Sequence, residues 1–121
     1  MKFPLIVLSY GEFFVTKKLL IYTYNDSLIM PVFTDPELVP EFNNYMQERL
    51  NELGDTRILR EQICINPSMA LDMFTVISSI VPDLRTISIN PTIKDGDIIN
   101  NDITLENVIK DLQDLVSLSS K

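Results

Sequence analysis

Histidine and tryptophan are absent from this chain, cysteine occurs once, and glycine occurs three times in 121 residues. Each shortage removes a chemistry. Without His there is no imidazole base and no imidazole metal ligand, which excludes a serine triad, a papain-like dyad and the usual zinc site. Gly11, Gly54 and Gly96 are too few and too scattered for a Gly-rich phosphate loop. The single cysteine, Cys64, forms no internal disulfide. It sits in the apolar run RILREQICIN, which makes it a small core residue rather than a reactive thiol. Clustered basic residues are missing too: Lys17-Lys18 is the sole adjacent pair, so nucleic acid is not an expected partner. No apolar run approaches the roughly 20 residues that span a bilayer. The opening MKFPLIVLSYGEFF has no small-residue cleavage site after its apolar patch, so no secretory signal and no membrane are expected, and the expected location is cytoplasmic.

What is present is globular material. With 45% apolar and 22% charged residues, residues 1–121 read as one domain. At this length a chain buries about two-thirds of the surface exposed on unfolding and needs no metal or disulfide. The 17 acids against 10 bases leave a net charge of -7, which keeps such a surface soluble. No spacing of carboxylates singles out a catalytic pair. The chain is therefore read as non-enzymatic, with no cofactor and no bound metal.

The first third has the β-branched and aromatic composition of strands: 4–9, 13–17, 19–24 and 28–33. Asn25-Asp26-Ser27 supplies turn chemistry for a hairpin between the last two. Pro31 inside 28–33 argues either for a sheet edge or for a missing ladder donor at that point. The period then lengthens. Leu38, Phe42, Tyr45, Met46, Leu50 and Leu53 lie on one helical face that Gly54 terminates. A strand is expected over 56–66, a helix over 67–81 and a strand over 84–90, a parallel right-handed crossover. A polar loop, PTIKDGDIINND, leads to a final helix whose stripe is Leu105, Val108, Ile109, Leu112, Leu115 and Val116, capped near Thr104. The fold class is α/β, with an α+β arrangement as the variant. It has a mixed sheet of five or six strands, antiparallel at the start, and three helices packed on it.

Three features invite a functional reading. Thr34-Asp35-Pro36-Glu37 fits a capping box, with Thr34 accepting from the Glu37 N–H and Phe33 and Leu38 forming a staple. Pro40 requires a short turn before the helix proper restarts there. Asn66 and Asn90 lie in two similar segments, ICINPS and ISINPT, each closing an expected strand, and Asn66-Pro67 reads as a helix cap. If the strands before residues 34, 66 and 90 run parallel, Thr34, Asp35, Asn66 and Asn90 share one rim, where open α/β sheets bind ligands. The helix over 67–81 is apolar almost all round, so it is either covered on both sides or meets a partner through Met69 and Met73. The candidate interaction surface is thus Thr34, Asp35, Asn66, Met69, Met73 and Asn90. Asp95, Asp97 and Glu106 match a calcium loop in part, but Ile99 and Asn100 stand where a ligand and a glycine belong.

LIMPVFTDPELVPEF, from Leu28 to Phe42, is followed by a helix, a strand, a helix and a strand ending in ISINP. This resembles the SseB (enhanced serine sensitivity) amino-terminal domain family. Its members carry a strand of the form L-P-x-F-T before an acidic helix start, and a later strand ending in N-P. In this chain those features fall on Leu28 to Pro36 and Ile87 to Pro91, and the resemblance covers about residues 28–91. It implies an α/β fold and a non-catalytic role, and it carries over no catalytic residue. The leading expectation is a domain that binds another protein or a second copy of itself. The alternatives are a small acidic inhibitor or immunity-type protein, working through the acids at 95, 97, 102, 106, 111 and 114, and a small-ligand domain using the rim.

Overall fold

The computed structural model of the chain describes residues 2–10 and 19–119. The strand expected over 13–17 lies outside them. β1 (Leu5–Ser9), β2 (Tyr22–Tyr24) and β3 (Ser27–Phe33) come first, and a 3-10 turn (Pro36–Leu38) leads into α1 (Val39–Glu52). β4 (Arg60–Cys64), α2 (Pro67–Ile80) and β5 (Thr86–Ile89) form the middle. β6 (Thr92–Lys94), β7 (Asp97–Ile99), β8 (Asp102–Thr104) and α3 (Leu105–Ser119) follow. The class is α/β, as expected. Six strands make a mixed sheet in the order β4-β1-β3-β5-β8, with β2 also on β3, and β6 and β7 form a separate small sheet.

Helices cover both faces. α2 and α3 pack with Leu5, Val7, Met30, Val32, Cys64 and Ile87 on one side. On the other, Val39, Phe42 and Met46 of α1 and Ile98 of the β6–β7 hairpin pack with Ile6, Leu8 and Phe33. β1, enclosed this way in the middle of the sheet, has no wet face, which is why all five of its residues are buried instead of alternate ones. Phe42 anchors α1 by meeting Phe33 edge-on, with ring centroids 5.4 Å apart.

The hairpin between β2 and β3 forms as expected, in a two-residue turn with positive φ at Asn25 (50°) and Asp26 (63°). Gly54 ends α1 at φ 80°. There the Asp55 N–H donates to the Leu50 carbonyl at 2.9 Å and the Gly54 N–H to Asn51 at 3.0 Å, a Schellman closure.

Two expectations need correction. β3 is central rather than at an edge, with β5 on one side and β1 and β2 sharing the other. Val32 accepts from the Asn90 N–H and so faces β5; by alternation Pro31 turns its missing donor to the opposite side. That side is where β2 has ended at Ile29 and β1 pairs only Val32 and Phe33. The proline fits because it faces the break between two partners. Second, PTIKDGDIINND is not a loop but the β6–β7 hairpin followed by β8. β4 and β5 run in the same direction, as expected of a crossover, with β1 and β3 lying between them.

Candidate functional site

The strand directions decide which rim residues meet. β3 and β4 are both antiparallel to β1, and β5 is parallel to β3. All three therefore finish at one end of the sheet, as the rim reading requires. Adjacency then separates them. β3 and β5 are neighbours, so Asn90 reaches Thr34 directly. Its Oδ1 accepts from the Thr34 N–H at 2.8 Å and the Asp35 N–H at 3.3 Å, and its Nδ2 donates to Thr34 Oγ1 at 2.8 Å. β1 separates β4 from β3, so Asn66 stands two strand spacings away, about 10 Å. Asn66 Oδ1 accepts from the Met69 N–H at 2.9 Å and caps α2 with Pro67 behind it.

The capping box is also rearranged. Asp35, not Thr34, caps the 3-10 turn, accepting from the Glu37 N–H at 3.0 Å. The Thr34 hydroxyl is taken by Asn90. Pro40 then falls in the first turn of α1, where its missing N–H costs nothing. The rim is thus a set of internal closures: the polar groups of Thr34 and Asn90 satisfy one another, and no nucleophile–base pair forms there.

The two methionines of the candidate surface differ. Met69 is half-buried against the α2–α3 core. Met73 is 1% exposed, with its sulfur 3.7 Å from Cys64 Sγ, and is therefore a core residue and not a contact. Burial pushes the Cys64 thiol up to about 11, keeping it protonated and inert. The acids of the alternative reading do not share a surface. Asp95 and Asp97 are on the hairpin over the α1 face, whereas Glu106, Asp111 and Asp114 are on α3 across the sheet. Among the described residues no group of three acids or thiols could hold a metal, and no helix is long and apolar enough to cross a membrane.

A different feature emerges at the opposite margin. Among the described residues β4 ends the sheet. Ile63 pairs with Ile6 on the α1 face, but α1 packs over Ile6, Leu8 and Phe33 and leaves Ile63 49% exposed. Ile58 before the strand is 68% exposed and Ile65 after it 69%. The other margin, β8, is only three residues long and carries Asp102, the usual protection of an edge. β4 is longer, with five residues and no proline; its charges, Arg60 and Glu61, lie in its first half, and the apolar Ile63 and Ile65 follow them. RILREQICIN reads as a strand from sequence; that it is an outer one depends on strand order, which its residues do not encode. No protein-family model matches the chain, and no curated protein matches it.

Proposed function

We propose that this domain acts without catalysis, by binding an extended apolar segment of another protein along the β4 margin of its sheet. The observation that carries the reading is the outer strand with Ile58, Ile63 and Ile65 exposed along it. Fully burying one such side chain contributes roughly 1.5–3 kcal/mol. Three fall short of the cost of association by themselves. Strand addition supplies the rest, because backbone hydrogen bonds give affinity and alternate side chains give selectivity. The resemblance of residues 28–91 to the SseB amino-terminal family is in keeping with a non-catalytic role.

A second copy of the chain fits this margin poorly. Two sheets joined edge to edge by a two-fold axis place residues of equal parity opposite each other. Centring the pair on Glu61, Gln62 or Ile63 sets Glu61 against Glu61, Ile63 or Ile65 of the other copy. Each arrangement buries a carboxylate against carboxylate or hydrocarbon. A different protein with apolar or basic residues facing Glu61 avoids that penalty.

The test compares wild type with an Ile63→Glu/Ile65→Glu variant as baits. Both positions are exposed, so equal melting temperatures are expected. A protein held by wild type and lost by the variant supports the reading; the same set on both baits, or none on either, contradicts it.

A further inference from the structure

A second surface is independent of the β4 margin. Where α2 ends and α3 begins, an open groove of about 830 Å³ has Pro82, Leu84, Leu105 and Ile109 as its apolar lining. Its volume lies within the range of small-molecule sites, about 300–1,000 Å³. Arg85 and Lys110 stand at its rim. Neither makes an ion pair or a side-chain hydrogen bond among the described residues, in contrast to Arg49 and Arg57, which pair with Glu52 and Asp55. Arg85 also borders a smaller hollow with Asp26 and Asp83, yet it pairs with neither. Glu106 shares the rim one helical turn before Lys110 and is likewise outside pairing distance. Within the groove's own lining two cations stand against one carboxylate, inside a chain whose overall charge is -7, and Asp26 and Asp83 border Arg85 in the neighbouring hollow.

We infer that the groove binds a small organic monocarboxylate with an apolar body. The charge balance of the lining, a guanidinium and an ammonium against one carboxylate, favours a single negative charge. The apolar lining favours a ligand with a hydrocarbon or aromatic part, which an inorganic anion lacks. The start of α3 adds no separate anion site, because Thr104 Oγ1 already accepts from the Asn107 N–H at 3.1 Å.

Octanoate, 1-octanol and inorganic phosphate serve as probes, followed by amide chemical shifts of the labelled protein. Octanoate is expected to give saturable shifts confined to residues 78–85 and 104–113. Octanol and phosphate should each bind at least about tenfold more weakly, and Arg85→Gln/Lys110→Gln should weaken octanoate by a similar factor. Both replaced side chains are on the surface, and an unchanged spectrum elsewhere verifies that the variant is folded. Octanol binding as well as octanoate would overturn the inference by reducing the groove to a hydrophobic surface. Phosphate binding as well as octanoate would reduce it to an anion patch. Shifts elsewhere, none at all, or an unaffected double variant would also overturn it.

Discussion

Asn66 and Asn90 occupy the same position in two similar hexapeptides and hold different parts of the molecule together. Asn66 caps its own helix three residues on, a local closure worth about 1 kcal/mol. Asn90 joins two strands 56 residues apart through three side-chain hydrogen bonds, and its backbone lies in the left-handed region at φ 50°. Asn90→Ala loses those bonds and the polar side chain that lets Asn tolerate the left-handed region better than Ala, so it should cost about 3 kcal/mol. Asn66→Ala should cost about 1 kcal/mol. Denaturant titration of both variants measures the difference, and equal costs would mean that the Asn90 bridge adds nothing. Only the local half of this was legible in the sequence. Asn-Pro announces a cap, whereas the same rule assigned the Thr34 hydroxyl to Glu37 and could not foresee a competitor from another strand. Cys64 adds a pH dependence. Its thiol ionises at its ordinary 9.0 when unfolded and at about 11 when buried, so the unfolded chain loses the proton first. The contribution is fully present below pH 9 and is lost as pH rises toward 11. Wild type should therefore lose stability across that window more steeply than Cys64→Ala, and parallel curves would contradict the assignment.

Two hairpins show what an element's sequence reveals. Asn25-Asp26 and Asp95-Gly96 both turn with positive φ at both residues, the geometry whose twist matches paired strands. The first was legible because long apolar runs flank it. The second has the stronger turn signature, but its flanks are three residues each and are broken by Lys94 and Asp97, so composition read it as a loop. The cost of mistaking it is functional: acids that form a calcium-like spacing in sequence are divided among a turn, a strand and a helix. At Gly96 (φ 77°) an added β-carbon meets nothing within 4 Å, so Gly96→Ala carries only the backbone penalty. That predicts a loss of about 1 kcal/mol in denaturant titration; a neutral or stabilising substitution would show that the turn relaxes. The apolar girth of α2 resolves at this scale as well. Ala70, Met73, Phe74 and Ile77 are buried, and Met69, Leu71 and Val76 are partly covered as α3 packs alongside.

At the scale of the whole molecule, strand order decides which residues meet and which lie at a margin, and strand order is what a single sequence encodes least. Helix and strand periods, three helices and a mixed sheet could be read from residues. That Pro31 lies in a central strand, that β1 and β3 separate Asn66 from Asn90, and that RILREQICIN runs along a margin follow only from long-range pairing. The candidate surface shifted for that reason, from Thr34, Asn66 and Met73 to Ile58, Ile63 and Ile65. Amide hydrogen exchange across β4 tests the central claim most directly, comparing the free domain with the domain carrying the partner that the Ile63/Ile65 baits select. Strand addition predicts new protection at alternate amides of residues 60–65, those turned away from β1, with residues 34–38 and 90 unchanged. Unaltered exchange in β4, with protection gained at the Thr34–Asn90 rim, would place the interface at the opposite feature and contradict the account.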